Sequence, residues 1–305
     1  MSNDYAVADH IARITLNHPD KANILDHEHS KEIAEAWTRA WEDRNVRVVI
    51  VTGAGDRHFC AGHNLAVPEH VTAEESAFLR ARRVFWPKAG SVNGVPAGPD
   101  VRMGDHYPQI FKPVIAAVNG WAAGAGLYMV LGSTDIRIAC AEHARFKFAL
   151  LTQGWVGTGP GATFLAKQLR YADAMRMLLT DDPVGAEEAL RIGLVNEVVP
   201  HERLMDRAEE LARHIATMPP IATRMMKEFV IRYREAPTDQ AWHVQNLMNT
   251  LLIQMTADGV EGRRAFNEKR PPNFTGAIRQ QGEEFPEWTD EEWKRLEEIY
   301  EEGEY

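Results

Sequence analysis

Cysteine is nearly absent: the 305 residues hold two, Cys60 and Cys140. Two thiols make no disulfide framework, and such usage fits a reducing compartment. The short signatures of several chemistries are missing as well. No GxxxxGK[ST] loop occurs, which argues against an NTPase, and no GxSxG elbow, the usual mark of a serine hydrolase. The twelve histidines show neither HExxH nor a Cys/His ligand spacing, so no metal is expected. Positive charge is in short supply too. Asp and Glu number 44 against 34 Lys and Arg, a net charge of −10 that suits neither nucleic acid nor an anionic membrane. Residues 283–305 alone hold eleven acids against Lys294 and Arg295, so the rest of the chain is near neutral. The longest charge-free run, Pro113 to Thr134, is broken by four glycines and Asn119. It contains the small-xxx-small pattern Gly120-Trp-Ala-Ala-Gly124, but it opens as a buried strand, so no membrane span is expected. The first ten residues, MSNDYAVADH, lack the apolar core of a secretory leader. A soluble, cytoplasmic protein is the expectation.

What is present is a globular composition, 45 % apolar and 26 % charged, which excludes wholesale disorder. The first half alternates strand and helix signals. Ile11–Asn17 is β-rich and ends in His18-Pro19-Asp20. Ile33, Trp37 and Trp41, four apart, mark one face of a helix from about Asp26 to Glu42. Val46–Thr52 is a nearly continuous apolar run, the mark of a strand covered on both faces. Val114–Val118, Ile136–Ala139 and Val195–Val199 read the same way, giving an α/β pattern with little hairpin chemistry. From His201 the texture turns helical: His201–Thr217, Ile221–Arg234, Thr238–Ala257 and Gly259–Glu268 carry apolar residues at helical spacing. In the tail, Thr289-Asp-Glu-Glu292 is a capping box, followed by Trp293, Leu296 and Tyr300 on one face. Between Leu65 and Lys112 periodicity is weak; Glu74–Trp86 suits a helix and Ala89–Gly104 a Gly/Pro-rich loop.

Gly53-Ala54-Gly55 after a strand invites a dinucleotide-binding reading, but the third glycine is missing: position 58 is a histidine. Two other segments read well together. Phe59-Cys60-Ala61-Gly62-His63-Asn64-Leu65 follows one buried strand, and Lys112–Gly126, ending Gly124-Ala125-Gly126, follows another and leads into a helix at Leu127–Gly132. Small residues at strand ends let a ligand approach the backbone, and a helix N-terminus leaves amide donors for it. One amide from each loop can hold a carbonyl oxygen that turns negative during reaction. Either glycine cluster alone is an ordinary packing device.

Together these segments resemble the crotonase (enoyl-CoA hydratase/isomerase) superfamily. Further pieces carry the resemblance: Asn17-His-Pro-Asp-Lys-Ala-Asn23, Leu179-Thr-Asp-Asp182 with Ala186–Ala189, Gly193-Leu-Val-Asn-Glu-Val198, and Phe266-Asn-Glu-Lys-Arg270. They stand in the family's order from residue 11 to about 275. The resemblance implies an α/β fold, a spiral of ββα units with a C-terminal helical region used in trimer formation, and often a dimer of trimers. Three parts follow: a core over 1–200 with the acyl-CoA site, a helical oligomerisation region over 201–275, and an acidic tail with a short helix over 276–305. The implied ligand is an acyl-CoA thioester, with coenzyme A as part of the substrate and no other cofactor required.

Carried over residue by residue, the oxyanion amides are the N–H groups of His63 and Ala125. Lys21, Ala22 and Ile24 match positions lining the adenine–ribose end of coenzyme A, and Ala61 flanks the thioester. Phe266 and Lys269 match positions that reach a neighbouring subunit's coenzyme A. The family's two catalytic glutamates are not matched. The first falls on Tyr128 and the second near Phe148, Ala149 or Leu150. The aspartate that some members carry within Gly154–Thr163 is missing too. A phenol, with an ordinary pKa near 10, serves as an acid but is a weak base at neutral pH. Tyr128 therefore leads as the acid, and His63, Glu69, His70, Asp105 and His106 are candidate bases. Three readings stay open: an enoyl-CoA hydratase/isomerase-like enzyme with unorthodox acid–base groups, a catalytically inactive acyl-CoA binding protein, and a thioester or carbon–carbon hydrolase. Trp86, Trp121 and Trp155 are candidates to shape a bulky acyl pocket.

Overall fold

The computed structural model describes residues 3–65, 70–85, 91–92, 95–96, 110–157, 161–278 and 289–302. Glu69, Trp86, Asp105, His106 and most of the Gly/Pro-rich loop lie outside them. The chain forms two compact units, Met1–Ala241 and Trp242–Tyr305.

The first unit opens with a hairpin of β1 (Asp4–Ala8) and β2 (Ile11–Leu16). Asp9 and His10 turn the chain with φ of 51° and 65°, as a two-residue hairpin loop with both central residues left-handed requires. Helix α1 (His27–Glu42) follows, its first amides capped by the Asp26 carboxylate, which accepts from Glu28 at 3.1 Å and His29 at 3.0 Å. It buries Ile33 and Trp37, as the four-residue spacing predicts, together with Ala36 and Ala40, while Trp41 is half-buried. At its other end the half-buried Lys112 Nζ donates to the Ala40 and Asp43 carbonyls, and burial pushes this amine down to about 8.

Three turns of strand, strand and helix then repeat. The first holds β3 (Val48–Gly53), β4 (His58–Cys60) and α2 (Ala73–Phe85), with a small hairpin, β5 (Ser91–Val92) and β6 (Val95–Pro96), after it. The second holds β7 (Val114–Val118), β8 (Trp121–Ala123) and α3 (Ala125–Ser133). The third holds β9 (Ile136–Cys140), β10 (Arg145–Lys147) and α4 (Gly161–Gln168). There follow α5 (Tyr171–Thr180), β11 (Val184–Gly185), α6 (Ala186–Arg191), β12 (Glu197–Val199), α7 (Leu204–Ala216) and α8 (Pro220–Tyr233).

The first members of the turns, with the opening hairpin on one side and β12 on the other, build a six-stranded sheet in the order β1-β2-β3-β7-β9-β12, parallel except for the hairpin. The second members, with β11 added antiparallel at one edge, build a smaller sheet, β11-β10-β8-β4. The result is the spiral of ββα units that the resemblance implies. Every residue of β3 and β7 is buried, as their uninterrupted apolar runs require. Helix α7 lies against β3, β7 and β9 and buries Leu204, Ala208, Ala212 and Ala216, a stripe of mostly small side chains at every fourth position. The last strand is shorter than Val195–Val199. The Asn196 side chain takes the Arg137 amide at 2.8 Å, so ladder pairing begins only at Glu197.

The charge-free run from Pro113 is divided among β7, β8 and α3, and no helix among the described residues is long and apolar enough to cross a membrane. Below α3 the buried Arg137 guanidinium donates to the carbonyls of Leu131, Thr134 and Leu194 and to the side chains of Thr134 and Gln168. All five acceptors are neutral, and burial lowers this group to about 10.

Helix α9 (Thr238–Met255) spans the boundary between the units. The second unit continues with α10 (Ala257–Glu268) and α11 (Asp290–Glu302), the latter started by the Thr289–Glu292 capping box. The segment after α10 folds back on it: Arg270 makes a two-pronged pair with Glu261, and Asp258 accepts the Thr275 and Gly276 amides.

Candidate active site

The loops that follow β4 and β8 meet backbone to backbone. Gly62 has φ of +94°, and a Cβ there would stand 2.8 Å from the Ala123 carbonyl oxygen and 3.1 Å from the Ala125 nitrogen. Gly124, the N-cap of α3, takes φ 51° and ψ −121°. Both conformations suit glycine, and the close approach at position 62 admits no side chain. Ala125 is therefore the first residue of α3, and no carbonyl one turn earlier is available to its N–H. His63 forms a parallel bridge with Leu25: Leu25 donates to Gly62 O at 2.8 Å and Asn64 donates to Leu25 O at 3.1 Å. That alternation turns the His63 amide away from Leu25. The His63 side chain is exposed.

Two buried asparagines fix the surrounding loops. Asn119, at the end of β7, accepts the Gly53 amide and donates to the carbonyls of Gly55 and His58. Asn23, itself at φ 51°, accepts the His18 amide and donates to Ala54 and His58. With Ala22 also at positive φ, the 18–24 loop is held tightly, and Ala22 O receives the Ala61 amide at 3.1 Å. Lys21, Ala22 and Ala61 are thus brought together. Lys21 and Ala22 also line a cleft of about 500 Å³ that they share with Asp20, Asp56 and Arg57. Arg57, a second cation in that cleft, escaped the sequence reading because it stands outside every matched piece. Beneath the loop, His18 and His29 pack edge to face at 3.5 Å, and burial with the neighbouring imidazole holds His18 below its usual range.

Tyr128 lies one turn into α3, 5 % exposed, its ring 5.8 Å from that of Phe148. No residue of the segment Ala144–Gly154 is acidic, so the stretch after β10 supplies Phe148 and Leu150 but no carboxylate of its own. Ala149 stands at φ 57°, and its amide donates to the Asp181 carboxylate at 2.7 Å. The same buried carboxylate accepts the Thr152 amide at 3.0 Å and hydroxyl at 2.7 Å. Burial alone would raise the Asp181 carboxyl, but the hydrogen bonds from Thr152 and Ala149 outweigh it and hold the acid below its usual range. Since the folded value lies below the unfolded one, this stabilisation is complete above the ordinary carboxylate range, near pH 4, and is lost as pH falls through the folded value. Asp181→Asn should therefore lower stability by about 2 kcal/mol at neutral pH. Melting curves of variant and wild type should draw together as pH falls below the ordinary carboxylate range; a separation that stays constant with falling pH would contradict this reading.

In the second unit Phe266 is 82 % exposed on α10, and Lys269 caps that helix at φ 53°. Among the described residues no group of three or more His, Cys, Asp or Glu side chains is arranged to hold a metal ion.

A family profile described as Enoyl-CoA hydratase/isomerase matches residues 7–93 and 99–277. The chain belongs to this family. Among curated proteins, this crotonase-superfamily chain is 34 % identical over 272 residues to the (E)-benzylidenesuccinyl-CoA hydratase of Thauera aromatica, a match covering 89 % of this chain and 98 % of the relative. It is 35 % identical to the carnitinyl-CoA dehydratase of Escherichia coli K12, over 87 % of this chain and 95 % of that one. Among solved structures, the enoyl-CoA hydratase of Bacillus anthracis superposes with a TM-score of 0.76 at 29 % identity, covering 91 % of this chain and 100 % of that one. An enoyl-CoA hydratase/isomerase from Mycobacterium paratuberculosis gives 0.74 at 30 %, covering 91 % and 99 %. The fold is thus that of crotonase-family hydratases, and a function of the enoyl-CoA hydratase/dehydratase kind follows at this level of identity.

Proposed function

We propose that the protein holds an acyl-CoA thioester with its carbonyl oxygen between the backbone N–H groups of His63 and Ala125, and adds or removes water across the adjacent carbon–carbon bond. The observation that supports this reading is the close backbone approach of Gly62, the residue before His63, to Ala123 and Ala125. Lys21, Ala22 and Ile24 take the adenine–ribose end of coenzyme A, Ala61 flanks the thioester, and no further cofactor is needed. Tyr128 is the acid. In hydration its phenol gives a proton to the α-carbon of the enolate, water oxygen bonds to the β-carbon, and the proton that water releases restores the phenol. Of the candidate bases, His63 and His70 are exposed, and Glu69, Asp105 and His106 lie outside the described residues. The relatives named for benzylidenesuccinyl-CoA and carnitinyl-CoA support water addition or removal on an acyl group bulkier than a straight chain. Residues 201–275 serve assembly into a cytoplasmic trimer or dimer of trimers, with Phe266 and Lys269 reaching the coenzyme A of a neighbour.

Mass spectrometry of short, long and ring-bearing enoyl-CoAs turned over in ¹⁸O water tests the reading. Labelled hydroxyacyl-CoA is expected. Thioesters that bind and return unchanged would make this an acyl-CoA binding protein, and release of free coenzyme A or a ring-opened acid would make it a hydrolase.

A further inference from the structure

The Tyr128 ring sits in a socket whose walls are absent side chains. A Cβ on Gly161, the first residue of α4, would overlap the ring at Cε1 and stand 2.5 Å from Cζ. A Cβ on Gly157 would stand 2.7 Å from the Tyr128 hydroxyl and 2.5 Å from Leu150 Cδ1. Gly157 has φ of +84°, so its backbone turns where other residues resist. The third wall is Phe148, and the loop carrying Leu150 is fastened on both sides of that residue by the Asp181 carboxylate. The base of the ring is equally fixed, since the Tyr128 amide donates to Gly124 O at 3.0 Å in the turn that also carries Ala125. Glycines inside or beside a helix start weaken it, and each is explained here by the bulk of one aromatic ring.

We propose that Gly157 and Gly161 are positioning residues for the reaction: they clear the volume in which the Tyr128 hydroxyl is held at the α-carbon of the bound thioester. This rests on the reading of Tyr128 as the acid. A phenol reaches farther from the helix than a carboxylate, and the two missing Cβ atoms accommodate that extra length without moving α3 and its Ala125 amide.

A double-mutant cycle on the full-length protein tests it, with crotonyl-CoA and cinnamoyl-CoA as probes and kcat and KM read separately. Tyr128→Phe is expected to lower kcat by about 10²–10⁴-fold. Gly157→Ala pushes the hydroxyl aside and is expected to lower kcat by about 10²-fold with KM changed less than about twofold. In the Tyr128→Phe background Gly157→Ala should lower kcat far less, because the hydroxyl it displaces is gone and only the strain at φ +84° and the contact with Leu150 remain. Equal losses in both backgrounds, or an unchanged kcat in Gly157→Ala, overturn the socket while leaving the role of Tyr128 intact. An unchanged kcat in Tyr128→Phe, or a wild type inert toward both probes, overturns the role of Tyr128 and the socket with it. Should Gly157→Ala fail to fold, Leu150→Ala opens the same wall and is expected to lower kcat in the Tyr128 background alone.

Discussion

Ala125→Pro is expected to lower kcat by about 10²–10³-fold, the worth of one preorganised oxyanion donor, while the protein stays folded. The position suits proline better than a helix interior does. Ala125 is the first residue of α3, where proline is well accepted because its missing N–H has no helical acceptor in any case. The change removes one hydrogen and puts the ring's Cδ in its place, beside Gly62. Melting within about 1 kcal/mol of wild type, with turnover lost, supports the backbone of residue 125 as a donor. Retained turnover in a folded variant would remove Ala125 from the site and with it the proposed thioester geometry.

The largest loss of stability is expected from Trp37→Ala, about 3–5 kcal/mol. The indole is fully buried on the inner face of α1, next to Ile33 and Ala40, and is among the largest completely buried side chains. Its removal leaves a cavity that the sheet, packed at crystal-like density, does not close. Measured by urea unfolding, the midpoint should fall with little change in slope. A loss under about 1 kcal/mol would mean that α1 repacks freely and contributes little to holding the 18–24 loop at its N-terminus.

The parts of this molecule that were readable from sequence are those with long, consistent periodicity. β3 and β7 announced themselves as uninterrupted apolar runs, α1 by Ile33 and Trp37, and the C-terminal helices by their spacing. The second sheet was not readable in this way. β4, β8 and β10 are three residues long, too short for alternation to emerge, and their pairing partners lie tens of residues away. The opening hairpin was missed because Asp-His takes the place of the Asn-Gly that usually marks such a turn. At the site, the glycine clusters pointed to the two loops, but only the packing distances join them. Asp181 stood in a matched piece with no role; its partners Ala149 and Thr152 lie about 30 residues upstream, beyond any local pattern. Gly157 was noted only for the aspartate its segment lacks, and its bearing on Tyr128 is a matter of volume that one-dimensional spacing does not encode.

The buried Arg137 has an electrical consequence at a distance. Its guanidinium meets the Leu131 and Thr134 carbonyls at the C-terminal end of α3, the helix whose first residue is Ala125. Those carbonyls form the negative pole of a nine-residue helix. A cation seated there offsets that pole and leaves the positive pole, at the loop of Gly124 and Ala125, less opposed. Mobile ions do little to this field, because the charge is shut away among neutral oxygens, whereas exposed pairs such as Arg203–Asp206 lie open to screening. The amides at the mouth of α3 therefore work in a potential set by the fold and nearly indifferent to the ionic strength of the surroundings.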